Sequence, residues 1–179
     1  MKILLGVTGS VATTLVSKLI SQLESAGHEV QVVATKWSLY FFEPADLSVR
    51  VWRDEDEWSG AIYEKNQPIP HIDLREWADL LLIAPLSANT LAKMANGLCD
   101  NLLTSVARAW SRDKPLVVAP AMNTVMWEHP ATEQHLDQLQ VWFRFRAVRP
   151  IAKRLACGDE GIGALARLDD IVEAVNVYR

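Results

Sequence analysis

The sequence predicts an α/β fold built on a parallel, doubly wound sheet. Apolar runs of strand length alternate with segments whose apolar residues recur at helical spacing, as in parallel sheets with helical crossovers. The runs "LLLIAP" and "PLVVAP" are apolar without interruption, which is typical of strands covered on both faces. A chain of 179 residues is long enough for one such core. We therefore expect a single domain over residues 1–179.

The predicted elements follow one another along the chain. The strands are "KILLGVTG", "HEVQVVAT", a short "VRVW", "LLLIAP" and "PLVVAP". Helices are expected over residues 10–26, 73–78, 88–98, 100–112, 124–140 and 169–178. Asp170 and Glu173 would form a capping box at the start of the last helix.

Two stretches lack a clear period. Residues 54–70 are first acidic and then proline-rich, which predicts a surface loop. Residues 149–168 form a long glycine-rich stretch that contains "RLACGDEGIGALA". A loop of that length in a compact domain is typically a lid or a binding loop.

Charge and hydropathy exclude several classes of function. The net charge is −4, so the chain lacks the broad basic field that nucleic-acid binding needs. Only a short apolar run follows Lys2 before Thr8 and Ser10 appear, which fits neither a signal peptide nor a membrane span. We expect a cytoplasmic protein with no nucleic-acid or membrane partner.

Cysteine and histidine spacing gives no metal-binding motif. Cys99 and Cys157 belong to no CxxC pair, and the four histidines form no HExxH pattern, so we predict no metal. Cys99 falls in a predicted helix and is expected to pack there. Cys157 falls in the second irregular stretch, where a thiol could donate a proton.

The first strand ends in "GVTGSVA", which resembles a phosphate-binding loop. The segment is neither GxGxxG nor a Walker A loop, and Thr35 and Lys36 stand where a dinucleotide fold places an acidic residue. A turn at a helix N-terminus still favours an anion, and a mononucleotide phosphate fits it better than NAD does. The alternative is a tight turn in which Ser10 caps the helix.

Two further strand ends carry small polar residues. "APLSANT" offers hydroxyl and amide groups to the edge of a flat ring, and "PAMNTVMW" puts an amide after a buried strand. Ligands of open α/β sheets bind at the carboxyl ends of the strands. In each case helix capping is the alternative, by Ser87 or Asn89 in the first segment and by Asn123 or Thr124 in the second.

His71 lies in "PHIDLREWAD", just before a predicted helix. An imidazole changes charge near neutral pH, which makes His71 a candidate base. A single histidine is also compatible with a structural role.

Four segments occur in an order that resembles a known family: "GSVA", "HIDLREWADLLLIAPLSANTLAKMANGLCDNLLT", "PAMNTVMW" and "RLACGDEGIGA". Together they resemble the flavin-dependent cysteine decarboxylases, over almost the whole chain. The resemblance implies a Rossmann-like flavoprotein that binds FMN, usually as a homotrimer with active sites at subunit interfaces. Its implied substrate is a small molecule, phosphopantothenoylcysteine of coenzyme A biosynthesis.

The same resemblance implies roles for individual residues. His71 would be the catalytic base, Cys157 a late proton donor, and Asn123 the group that holds the substrate carboxylate. The remaining implied substrate contacts are Met126, Arg154 and Ala156, with Met122 and Trp127 shaping the pocket. The implied FMN contacts are Gly9, Ser10, Val11, Thr35, Lys36, Ser38, Ser87, Ala88, Asn89, Thr90 and Ala121.

The implied chemistry explains the need for a flavin. A cysteine carboxylate cannot leave as CO2 without an electron sink, and flavin oxidation of the thiol to a thioaldehyde provides one. The resulting ene-thiolate is protonated and takes the electrons back, so the reaction has no net redox change.

Three relatives remain as alternatives to this substrate. They are a decarboxylase of peptide C-terminal cysteine, a flavin prenyltransferase and a regulatory subunit that binds a protein phosphatase. The segment "ACGDEGIGA" argues against the prenyltransferase. The chain departs from the family pattern at Leu165, where a methionine is usual, and over residues 140–148, where a missing glycine leaves the last strand's register open.

Overall fold

A computed structural model describes residues 1–58, 62, 64–154, 158 and 160–179 of the chain. Its main sheet has six parallel strands in the order β3-β2-β1-β4-β5-β6. The strands are β1 (Lys2–Val7), β2 (Glu29–Ala34), β3 (Val51–Trp52), β4 (Leu80–Leu86), β5 (Pro115–Pro120) and β6 (Arg144–Ala147). The order changes direction between β1 and β4, where doubly wound sheets bind their ligands. The predicted fold class is confirmed.

Helices cover both faces of this sheet. They are α1 (Val16–Ser25), α2 (Asp54–Glu57), α3 (Pro70–Trp77), α4 (Ala88–Ala95), α5 (Leu102–Ala109), α6 (Thr124–Glu128), α7 (Pro130–Trp142) and α8 (Leu168–Asn176). The core on one face includes residues of α1 and α8, and the core on the other includes residues of α3, α4, α5 and α7. Short 3-10 turns occupy Val11–Leu15, Ser38–Tyr40 and Pro44–Asp46.

The central strand β1 contributes side chains to the cores on both faces of the sheet. Ile3 and Leu5 pack toward α1 and α8, whereas Leu4 belongs to the opposite core, and all three are fully buried. Burying one such side chain stabilises the fold by about 1.5–3 kcal/mol. Gly6 follows the same alternation, and a Cβ there would lie 2.6 Å from Leu103 Cδ1. The helix α5 therefore packs directly against the strand that leads into the first polar loop.

Several predicted helix boundaries are wrong. The helix predicted over 124–140 is two helices, because Pro130 has no N–H and His129 before it is extended. The helix predicted from residue 10 starts as the 3-10 turn and becomes α-helical at Val16. The last helix begins after Arg167 without the expected Asp170 and Glu173 box.

The segments around α3 and α4 also differ from prediction. The acidic part of residues 54–70 forms α2, and α3 begins at Pro70, the first-turn position that proline favours. Helix α4 ends at Ala95, and the chain then turns through Gly97 at a φ of 71°. Cys99 lies exposed in this connection, so its predicted packing role is wrong.

The glycine-rich stretch contains an antiparallel hairpin, β7 (Ile151–Arg154) and β8 (Glu160–Ala164). Strand β8 docks on the segment after β5, since the Met122 amide donates to the Gly163 carbonyl at 2.9 Å. A Cβ at Gly163 would lie 2.2 Å from the Met122 carbonyl oxygen, and one at Gly161 would lie 2.5 Å from Thr124 Oγ1. The two glycines thus allow the hairpin backbone to approach this segment closely.

Gly163→Ala should detach or displace the hairpin, because the added methyl group meets backbone that cannot rotate away. We expect a loss of about 1–3 kcal/mol in the free energy of unfolding, as for other overpacked sites. Hydrogen exchange at the Met122 amide should also accelerate. Ile162→Ala is the control, because Ile162 lies on the same strand and is 45% exposed. An unchanged unfolding midpoint with a protected Met122 amide would contradict this close docking.

Candidate active site

A cavity of about 720 Å³ opens at the carboxyl ends of the central strands. Among the described residues that line it are Gly9, Ser10, Val11, Thr35, Lys36, Ser87, Ala88, Asn89, Thr90 and Ala121. These are all of the predicted flavin contacts except Ser38. Ser38 is fully buried, and its hydroxyl donates to the Thr35 carbonyl at 2.7 Å. Ser38 therefore supports the loop after β2 and is not among the described residues that line the cavity, and its implied contact with the cofactor stays a prediction.

Two helix starts form part of the cavity wall. Ser87 caps α4, accepting from the Thr90 amide at 3.3 Å, and Ser10 caps the first 3-10 turn, accepting from the Ala12 amide at 3.4 Å. Both capping alternatives are therefore correct, and both caps also line the cavity. The positive ends of helices attract anions, so this wall suits a phosphate or an electron-rich ring edge.

Thr8 joins the two loops, although no sequence motif predicts this role. The Thr8 hydroxyl donates to the Pro85 carbonyl at 2.7 Å and accepts from the Ser87 amide at 2.8 Å. The Thr8 carbonyl in turn accepts from the Thr13 hydroxyl at 2.7 Å. Thr8 is fully buried. A threonine directly after a buried strand was the available sequence signal, but its partner 77 residues away was not visible.

Other lining residues were not predicted as flavin contacts. They are Trp37, Phe41, Asp54, Lys93, Asp100, Asn101, Met122 and Met126. Lys93 Nζ lies 2.6 Å from Asp100 Oδ2, and its hydrogen bond lowers the pKa of that carboxyl group. Asp54 accepts from the Leu102 amide at 3.0 Å, yet burial raises the pKa of its carboxyl group. The far end of the cavity is therefore mixed in charge.

A second cavity of about 600 Å³ adjoins the first. The two share Ser10, Val11, Ala121 and Met122 as lining residues. The second is lined by three cationic side chains, Lys153, Arg154 and Arg167, and by Asn123. It therefore suits an anionic ligand that extends to the edge of the first cavity.

The predicted substrate contacts divide between the two cavities. Asn123 and Arg154 line the second, whereas Met126 lines the first. Trp127 is not among the described lining residues of either cavity and is partly buried against the core that contains α7, so its expected role in the pocket stays a prediction. Ala156 and Cys157 lie outside the described residues.

Asn123 is the N-cap of α6, and its Oδ1 accepts from the Val125 amide at 2.9 Å. The capping interpretation is therefore correct, with Asn123 and not Thr124 as the cap. Because this bond orients the side-chain amide at the border of the second cavity, capping and substrate contact are compatible roles.

His71 lies in the first turn of α3 and lines neither cavity. Its Nδ1 is hydrogen-bonded to Glu57 Oε1, and its backbone amide donates to Glu57 Oε2 at 3.1 Å. The His71 side chain is 28% exposed and that of Glu57 9%. Neither of the two cavities described for one chain therefore includes both His71 and Asn123 among its lining residues.

Across the described residues, no three side chains of His, Cys, Asp or Glu are grouped as a metal site would require. Within that same part of the chain, none of the helices combines the length and apolar character needed to cross a membrane.

Asp54→Asn should stabilise the protein at neutral pH and have little effect in acid. Because burial raises the folded-state pKa above the ordinary value of 3.8, the ionised carboxylate costs stability above that folded pKa. The cost disappears as the pH falls below the unfolded value. Asparagine keeps an acceptor for the Leu102 amide without the charge. Urea unfolding of the ligand-free protein between pH 4 and pH 7 measures the difference, with exposed Glu24→Gln as the control. An equal stabilisation at pH 4 and at pH 7 would contradict a raised pKa for the Asp54 carboxyl group.

The chain matches the model of the flavoprotein family over residues 1–178. It is 49% identical over 175 residues to the phosphopantothenoylcysteine decarboxylase of Mus musculus, covering 97% of this chain and 85% of the mouse protein. A solved Cys-to-Ser mutant of PPC decarboxylase, complexed with pantothenoylaminoethenethiol, superposes with a TM-score of 0.92 at 48% identity, covering 99% of this chain and 97% of that one. The FMN binding protein AtHal3 superposes with a TM-score of 0.88 at 49% identity, covering 99% and 95%.

Proposed function

The chain belongs to the flavoprotein family, and we propose that it is an FMN-dependent decarboxylase that converts phosphopantothenoylcysteine to phosphopantetheine in coenzyme A biosynthesis. One observation carries the proposal. The segments after β1, β2, β4 and β5 enclose one cavity, and a second cavity with cationic side chains joins it at Ala121 and Met122. A flavin and an anionic thiol substrate can therefore lie side by side at the same edge of the sheet.

The first cavity fits FMN in size and in chemistry. Its volume of about 720 Å³ lies within the range of about 300–1,000 Å³ for small-molecule and cofactor sites. The hydroxyls of Ser87 and Thr90 and the amide of Asn89 can bond the polar edge of the ring, and the helix starts with Lys36 can hold the phosphate. Bound FMN supplies a reversible oxidation of the substrate thiol, which makes loss of CO2 possible.

The second cavity is the proposed substrate site. Asn123 holds the carboxylate of the cysteine end close to the shared wall, which aligns the thiol with the first cavity. Arg154 and its cationic neighbours bind the phosphate end by charge-assisted hydrogen bonds. Cys157 donates the late proton to the carbon that loses CO2.

His71 acts as the base from a neighbouring subunit of a homotrimer. The position of His71 outside both cavities of its own chain supports this arrangement. Exposed aromatic side chains support an assembly as well: Trp37 is 69% exposed, Tyr40 85% and Trp58 82%. Large apolar groups on a surface mark interaction sites when they cluster.

Mass spectrometry of phosphopantothenoylcysteine incubated with the FMN-loaded protein tests the function. We expect loss of CO2 from this compound and none from a peptide with a C-terminal cysteine run in parallel. Decarboxylation of the peptide alone would show that the substrate is a peptide with a C-terminal cysteine. If the flavin-loaded protein decarboxylated neither compound, the proposal would be overturned.

His71→Asn and Asn123→Ala test the shared active site. Each variant alone should lose most of its kcat/KM while retaining FMN. Co-expression of the two should restore activity at about a quarter of the sites in a randomly mixed oligomer, since each such site combines an intact His71 with an intact Asn123 from different chains. Co-expression of His71→Asn with a tagged copy of itself is the matched control. No recovery in verified mixed oligomers would place both residues in a site formed by one chain.

A further inference from the structure

We propose that Glu57 is a positioning residue that fixes the tautomer and orientation of His71. This inference rests on the proposed role of His71 as the base. The sequence of residues 54–70 predicts a surface loop and indicates no role for Glu57. The structure instead puts Glu57 in α2, directly against the start of α3.

The Glu57 carboxylate contacts His71 through both of its oxygens. Oε1 is hydrogen-bonded to the imidazole Nδ1, and Oε2 accepts from the His71 backbone amide at 3.1 Å. One contact would leave the ring free to rotate about the Cβ–Cγ bond, whereas the pair fixes the side chain relative to its own backbone. The imidazole plane therefore has a defined direction before substrate binds.

The Nδ1 contact also determines which ring nitrogen can accept a proton. An ionised carboxylate only accepts hydrogen bonds, so Nδ1 must be the protonated nitrogen of the neutral ring. Nε2 then carries the lone pair that a base requires. Without the carboxylate, both tautomers are accessible and only one of them can act as the base through Nε2.

The burial of Glu57 argues against an incidental surface contact. Its side chain is only 9% exposed, and removing a carboxylate from water is costly unless it is paired. Among the described residues, the ion pairs join Lys93 to Asp100, Arg149 to Glu133 and His71 to Glu57. The partner of this buried carboxylate is therefore the proposed base itself.

Helix α2 is held in place independently of His71. Asp54 at its start accepts from the Leu102 amide of α5 at 3.0 Å, and Asp56 accepts from the Arg53 amide at 2.7 Å. Asp54 also lines the first cavity. The same short helix thus contacts the cofactor cavity at one end and the imidazole at the other.

Glu57→Gln tests the inference, because glutamine has nearly the same shape and can either accept from Nδ1 or donate to it. We expect kcat to fall by at least about tenfold, and by no more than the roughly 10²–10⁴-fold that a general base contributes in total. KM and FMN content should stay unchanged. In a His71→Asn background the substitution should have no further effect, since residues that act as a unit are non-additive. Glu55→Gln is the matched control, because it removes the same charge from an exposed position in the same helix.

Nitrogen-15 NMR of histidine-labelled protein provides a readout that needs no activity. The His71 ring should be protonated at Nδ1 in the unsubstituted protein and should become a mixture of tautomers in Glu57→Gln. That change would support the positioning role even if the unsubstituted protein failed to decarboxylate its proposed substrate. An unchanged tautomer, or a kcat loss that adds to that of His71→Asn and accompanies loss of FMN, would overturn the inference.

Discussion

The hydroxyl of Thr8 joins the two loops on which the first cavity depends. It is buried between β1 and β4, donates to the Pro85 carbonyl and accepts from the Ser87 amide. Without it, two backbone groups at the centre of the fold would lose this partner, at about 1–3 kcal/mol each if left unsatisfied. One oxygen atom thus bonds both the Pro85 carbonyl and the Ser87 amide. This holds the helix starts at Ser10 and Ser87 in a fixed position relative to each other.

Main-chain hydrogen bonds also connect the ends of β4, β5 and β8. The Ala121 amide donates to the Leu86 carbonyl at 3.0 Å, which ties the end of β5 to the end of β4, and the Met122 amide ties that segment to β8. Each link is a hydrogen bond between main-chain groups of residues distant in sequence. The part of the shared wall that Ala121 and Met122 form is therefore hydrogen-bonded to the backbone on both sides.

The sequence predicted what depends on local pattern. The parallel sheet, the polar strand ends and the capping roles of Ser10, Ser87 and Asn123 followed from hydrophobic runs and small polar residues. Family resemblance identified the cavity residues more completely than periodicity did. Apolar spacing alone continued through the break, although Pro130 is itself a signal of a helix end, and it did not predict the exposed position of Cys99.

The sequence did not predict which distant residues form hydrogen bonds with each other in the folded chain. Thr8 and Pro85 are separated by 77 residues, and Glu57 and His71 by 14 residues that cross the acidic stretch. Ser38 looked like a cavity residue beside Thr35, but its hydroxyl turns inward to the Thr35 carbonyl. The residue type alone does not show whether a serine side chain points into a cavity or bonds to nearby backbone.

The hairpin borders only one of the two cavities. Ile151, Lys153, Arg154, Gly163 and Ala164 line the second, and none of the described hairpin residues lines the first. A displacement of β7 and β8 would thus change the lining of the second cavity and leave the described lining of the first unchanged. In the proposed function, the described hairpin residues therefore belong to the site of the substrate and product and not to that of the flavin.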